Sequence, residues 1–136
     1  MNRLKKSVFI LLIISVVLTM AGCGVEGEIR SYYGKVEEEL RNSMYDPGSM
    51  IVESAVGVHR EDDDYYYYYI RVNGKNRFGA YVGVQGFYYY YNKKTGLADE
   101  CYGDRETLAR FAITGAKMSE DSGTEAADGQ YYVRIK

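Results

Sequence analysis

Two uninterrupted runs of tyrosine, at residues 65–69 and 88–91, constrain the fold of this chain more than any other feature. Tyrosine favours strands because its large ring fits a pleated, half-buried surface. Successive side chains of a strand point to opposite faces, so each run places rings on both faces of a sheet. The chain has 16 tyrosines and no tryptophan. Tyrosine must therefore supply much of the aromatic core as well as part of the surface.

The remaining periodicity predicts two helices and two further strands. An apolar stripe that includes Ile29, Val36 and Leu40 has helical spacing and predicts a helix over 28–44. This helix should end before Pro47, because proline disfavours helical backbone in the residue before it. Strands are predicted over 50–59, 65–72, 80–91 and 130–136. A second helix is predicted over 104–115, with Leu108, Phe111, Ala112 and Gly115 on one face.

This order of elements predicts an α+β fold, in which the N-terminal helix packs on an antiparallel sheet of about four strands. Alternation assigns four side chains of the second strand to the face beneath the helix: Tyr66, Tyr68, Ile70 and Val72. In the first strand, Val52, Val56 and Val58 are expected on one face. The other face of the sheet is expected to stay open and to display tyrosines.

The N-terminal segment reads as a leader. Three basic residues precede 13 mostly apolar ones at 8–20, a stretch that spans only about 20 Å as a helix and is typical of a signal peptide. The sequence Leu18-Thr19-Met20-Ala21-Gly22-Cys23 then resembles the lipobox of bacterial lipoproteins, with Met20 where leucine is usual. An ordinary secretory signal cut near Ala21 is the alternative.

The lipobox resemblance implies a lipid on Cys23, with palmitate-type acyl chains that hold the protein at the membrane. The domain would then lie in the cell envelope, on the extracytoplasmic side. The predicted organisation is a signal peptide over 1–22, a lipidated tether over 23–27 and a single small domain over 28–136. With Cys23 modified, Cys101 has no intramolecular partner for a disulfide and is expected to be buried.

Two further motifs lie between the first helix and the third strand. Asp46, Pro47 and Ser49 form a DPxS element, and residues 72–83 read VNGKNRFGAYVG. Together they resemble a widespread family of small exported bacterial and phage-associated domains, over roughly residues 36–91. Ala80 departs from the glycine that is frequent there. That family has no assigned activity, so the resemblance implies a domain that folds as a unit and transfers no catalytic residues.

Charge and residue content exclude several classes of function. The leader holds 3 of the 17 basic residues and no acidic one, so the rest of the chain carries 14 basic against 19 acidic residues. An acidic domain gains nothing from counterion release, which argues against nucleic-acid binding. No spacing typical of a metal, cofactor or phosphate site occurs. We therefore expect no cofactor and no enzymatic activity.

The tyrosines suggest a binding or structural module that contacts an envelope protein or a cell-wall glycan, since exposed tyrosine is enriched at interfaces. The alternative is that they cover hydrophobic surface or lie under the second helix. The turn after the second strand is either purely structural, with Phe78 folded onto the core, or a ligand-binding loop. A small hydrolase using His59 or the acidic cluster at 61–64 is the competing function. The candidate binding residues are Tyr65, Tyr67, Tyr69, Tyr89, Tyr91, Lys75, Asn76 and Arg77.

Overall fold

The computed structural model describes residues 24–122 and 129–136. The predicted leader, Cys23 and residues 123–128 lie outside the described residues. The helices are α1 (Gly24–Ser43) and α2 (Asp104–Ser122), with a short 3₁₀ helix at Pro47–Ser49. The strands are β1 (Ile51–Arg60), β2 (Tyr65–Asn73), β3 (Gln85–Asn92), β4 (Ala98–Glu100) and β5 (Gln130–Arg134).

All five strands form one antiparallel sheet in the order β4-β3-β2-β1-β5. The predicted α+β fold, with an N-terminal helix on an antiparallel sheet, is confirmed. The three-residue β4 is an additional strand, too short for its sequence to show alternation. The second helix is also confirmed, and it continues to Ser122, beyond the predicted end.

Helix α1 begins at Gly24, so residues 24–27, predicted as a tether, are helical. Val25 lies one turn before Ile29 and packs against the same core, which explains the longer helix. The buried stripe of α1 crosses β1 at Gly57. A Cβ atom added there would lie 2.5 Å from Cγ2 of Ile29, so glycine is required for the helix to approach this closely.

The predicted core of β2 is confirmed, because Tyr66, Tyr68, Ile70 and Val72 are buried beneath α1. The register of the hairpin pairs Tyr68 with Tyr89 and Tyr66 with Tyr91. Paired residues of neighbouring strands point to the same face. Tyr89 and Tyr91 are therefore buried in the α1 core, and the prediction that they stand on an exposed face is wrong.

The opposite face of the sheet is covered by α2, so the prediction of an open face is also wrong. Ala109, Ile113 and Ala116 of α2 are buried against Tyr67 and its neighbours. Small side chains let the helix lie close to the rings. The expected face of this helix differs from the one that packs, because Leu108 and Phe111 point to solvent and are 60% and 72% exposed.

Two local irregularities make the observed strands differ from the predicted ones. The pairing of β1 with β2 shifts between Val52 and Ser54, which marks a β-bulge. A bulge adds one residue and so reverses the inward and outward positions beyond it. Val52 consequently packs under α1 whereas Val56 and Val58 pack under α2, so the single valine face predicted for β1 is wrong. Strand β3 begins only at Gln85 and follows Gly83, which has a φ of 87°.

Candidate functional site

The predicted tyrosine surface divides between the two helices. Tyr67, Tyr89 and Tyr91 are buried, whereas Tyr65 and Tyr69 are half-buried next to α2. The guanidinium carbon of Arg105 in α2 lies 4.3 Å from the centroid of the Tyr65 ring. These rings therefore act mainly as packing surface, and of the five tyrosines only Tyr65 and Tyr69 remain partly accessible.

A cleft of about 430 Å³ opens at the C-terminal end of α1. Two tyrosines from irregular segments line it, Tyr45 after α1 and Tyr102 before α2, and they are 72% and 68% exposed. The cleft also contains apolar groups from Met44, Val82 and Phe87 and polar groups from Lys75, Asn76, Gln85 and Glu100. We call this depression the distal cleft. Its mixture of rings, apolar side chains and hydrogen-bonding groups is typical of a recognition site.

Two motifs that are distant in sequence meet below the distal cleft. The Ser49 hydroxyl donates to the Asp46 carbonyl at 2.8 Å and accepts a hydrogen bond from the Lys75 backbone N–H at 2.9 Å. Ser49 is buried, and a Cβ atom at Gly74 would lie 3.1 Å from the Met44 sulfur. The DPxS element thus holds the start of the loop after β2, which places Lys75 and Asn76 on the cleft.

Asn76 also determines the shape of the loop after β2. Its side-chain oxygen accepts hydrogen bonds from the backbone N–H groups of Phe78 and Ala80, at 2.9 and 3.2 Å. Gly79 has a φ of 77°, a region that favours glycine. The loop is thereby a closed turn with an exposed tip, and Phe78 is 78% exposed. The expectation that Phe78 folds onto the core is wrong, and Arg77 lies beside it, away from the cleft.

Glu100 and Tyr102 form a polar pair on the other side of the cleft. The Tyr102 hydroxyl donates to the Glu100 carboxylate at 2.6 Å. This hydrogen bond to a negative acceptor raises the pKa of Tyr102 to about 12, so the phenol stays neutral at physiological pH. The hydrogen bond also orients the exposed ring beside the cleft.

The predicted hydrolase residues gather at the opposite end of the sheet, next to the start of α1. There a depression of about 460 Å³ includes His59, Glu28, Asp63, Asp64 and Lys93. His59 is buried, its ring stacks on Tyr66 with centroids 3.9 Å apart, and its Nδ1 lies 3.0 Å from the Tyr65 carbonyl oxygen.

Glu28 in this depression accepts hydrogen bonds from the Tyr66 hydroxyl and from Lys93 Nζ. The hydrogen bond from Tyr66 has the largest effect, and together with that from Lys93 it holds the pKa of Glu28 below its usual range. The carboxylate is therefore ionised and already engaged. Among the residues that the structure describes, no three histidine, cysteine or acidic side chains are grouped as a metal site would require.

Sequence reasoning identified Lys75 and Asn76 at the distal cleft but missed Tyr45 and Tyr102. Both tyrosines stand alone, outside the tyrosine runs, in connections next to helix ends. An isolated aromatic residue in a connection carries no periodic signal. Its position outside any predicted helix or strand was the only available indication.

Comparison with known proteins gives no relative: no family model, no curated protein and no solved structure matches this chain. Within residues 24–122 and 129–136, neither helix has the length and apolar character needed to cross a bilayer.

Proposed function

We propose that this chain is a lipid-anchored binding module of the bacterial cell envelope, which holds a partner in the distal cleft. The observation that carries the proposal is the pair of exposed rings, Tyr45 and Tyr102, beside polar side chains in one cleft. Tyrosine offers a large, amphipathic contact at low entropic cost, which suits recognition of a protein or a glycan. The lipobox at Cys23 is the basis for the anchor.

The position of the cleft agrees with such an anchor. Helix α1 starts at Gly24, directly after the candidate lipid site, and its last turn lines the cleft through Ser43. Its 20 residues span about 30 Å as a continuous helix. With a lipid on Cys23, α1 would act as a rigid spacer that keeps the cleft well away from the membrane surface.

The arrangement around His59 supports a binding module over a hydrolase. A general base must reach the proton that it removes, whereas the His59 ring is buried against Tyr66 and one nitrogen lies at a backbone carbonyl. The neighbouring Glu28 carboxylate is held by two donors. These contacts give His59 and Glu28 a structural task, namely to join α1 to the β1–β2 end of the sheet.

The anchor is tested by metabolic labelling of cells with an alkyne fatty acid. The wild-type protein should become labelled and should sediment with membranes, because the thiol of Cys23 is the acceptor. The variant Cys23→Ser should remain unlabelled. Equal labelling of both proteins, or none of either, would contradict lipidation at this position.

The cleft is tested by photo-crosslinking in cells from position 102, in the full-length chain. A discrete adduct is expected, and a Tyr45→Ala change in the same protein should reduce it. The matched control places the photoreactive residue at Leu97, which is comparably exposed but lies away from the cleft. Identical adducts from both positions would argue against a specific cleft.

A further inference from the structure

The edge of the sheet next to the distal cleft is only partly covered. Strand β4 pairs with residues 89–91 of β3 and ends at Glu100. The Cys101 N–H makes the last bond, to the Tyr88 carbonyl at 2.8 Å, and the chain then turns away at Tyr102. Among the described strands, none pairs on this side with the first residues of β3, from Gln85 to Phe87.

The backbone groups at this edge point outwards. In an antiparallel ladder, alternate residues direct both their N–H and their C=O to the same neighbour. Tyr88 bonds towards β4, so Gly86, two residues earlier in β3, directs its N–H and C=O to the same, open side. Val84 stands one residue before β3, and its N–H donates to no group among the described residues. A Cβ atom at Gly86 would lie 2.2 Å from the Tyr69 hydroxyl oxygen. The Tyr69 ring therefore lies over Gly86 on the α2 face of the sheet, and a larger residue at Gly86 would have to displace it.

This open edge adjoins the distal cleft directly. Gln85 and Phe87, which flank Gly86, line the cleft together with Val82 and Tyr102. A strand added at Gly86 would run along the rim of the cleft. Because side chains of a strand alternate, every second side chain of the added strand would point into it.

We infer that the distal cleft binds an extended polypeptide segment, which adds to the sheet as a strand at the edge formed by Val84–Gly86. This inference rests on the proposed function and names its partner class. Backbone pairing would supply affinity, and a side chain in the cleft would supply specificity. A glycan lacks the regularly spaced N–H and C=O groups that this edge matches.

Charge further defines the segment. The Glu100 carboxylate lines the cleft, and the ion pairs within the described residues do not include it. Lys75 also lines the cleft, but its Nζ lies 5.4 Å from the centroid of the Tyr81 ring. A segment that places a basic side chain at Glu100 and an apolar one at Met44, Val82 and Phe87 fits this lining. A second copy of this chain fits less well, because the chain after the leader has 19 acidic against 14 basic residues, and like-charged copies repel each other.

The test uses the full-length lipidated chain in detergent, panned against a phage-displayed library of random linear peptides. The selected peptide is then titrated against three variants. Val84→Ala keeps the N–H at this position and should change affinity by less than about twofold, whereas Val84→Pro removes this donor and should weaken binding about tenfold. Tyr102→Ala should weaken binding through loss of the cleft contact. In the wild-type protein, the Gly86 amide should exchange at least about tenfold more slowly when the peptide is bound.

The outcomes separate this inference from the proposed function. Strand addition is overturned if no peptide is selected, or if Val84→Pro binds normally and Gly86 exchange is unchanged. If Tyr45→Ala still reduces the cellular crosslinks from position 102 in that case, the cleft remains a binding site for another ligand. A dimer that disappears in Val84→Pro would make a second copy the occupant and would also overturn the inference. Crosslinks from position 102 that survive Tyr45→Ala unchanged would refute the proposed function itself.

Discussion

Gly57 is the position at which α1 lies closest to the sheet, and Gly57→Ala is expected to destabilise the protein by about 2 kcal/mol. The new Cβ atom would lie 2.5 Å from Cγ2 of Ile29 and 2.9 Å from Cε1 of Tyr68. Ordinary carbon contacts begin near 3.4 Å, so the helix or the ring must move by about 1 Å. Neither side chain has free space, because both are fully buried and the Tyr68 hydroxyl donates to the Ile29 carbonyl at 2.8 Å.

The assay is thermal unfolding of the purified protein, followed by circular dichroism and repeated in urea. For a domain of this size, about 2 kcal/mol corresponds to a melting temperature lower by about 8 °C. Gly34→Ala is the matched control, since it adds the same atoms to an open position within α1, with nothing within 4 Å. It should stabilise the protein by about 0.5–1 kcal/mol through helix propensity. A Gly57→Ala protein that melts within about 2 °C of wild type would refute the close contact between α1 and β1.

Three further predictions concern single side chains. Glu28→Gln removes a carboxylate whose pKa is held below its usual value of 4.5 by the Tyr66 and Lys93 donors. That stabilisation is present above pH 4.5 and is lost as pH falls through the lower folded-state pKa. In urea unfolding, the free energy of unfolding of the variant should therefore fall less steeply than that of the wild type as the pH is lowered below 4.5. An equal fall in both proteins would contradict the pairing. Burial raises the pKa of the Cys101 thiol to about 12, so in a Cys23→Ser variant, which keeps Cys101 as its one thiol, a thiol reagent at pH 8 should react only once urea unfolds the chain. Rapid labelling of this variant in its native state would contradict burial. Phe111→Ser should leave the melting temperature within about 2 °C, as is usual for exposed positions, and a larger fall would place Phe111 in a packed contact.

Local periodicity was sufficient for much of the fold. The stripe of α1 and the alternation in β2 depend only on residues a few positions apart, and both were predicted correctly. The side chains that share a face of β1 were predicted wrongly, because the bulge near Glu53 depends on how β1 pairs with β2. No residue in that stretch of sequence indicates an extra unpaired position.

The sequence pattern also failed to predict which face of α2 packs against the sheet. Larger apolar residues usually mark the buried side of a helix, but here Leu108 and Phe111 face outwards while Ala109 and Ala116 are buried. The tyrosine rings beneath α2 already fill much of the space between helix and sheet, so the buried stripe consists of two alanines with Ile113 between them. The choice depends on the partner surface and not on the helix itself.

The sequence by itself determined the strand-forming tyrosine runs and which side chains share a face of β2, because these follow from local period and composition. Only the tertiary structure decided which tyrosines reach solvent. The β2–β3 register turned Tyr89 and Tyr91 inwards, and α2 covered the second face. It likewise joined Ser49 to Lys75, 26 positions apart, and so formed the distal cleft. Contacts between distant segments set these outcomes, since a side chain is buried only when another part of the chain packs over it.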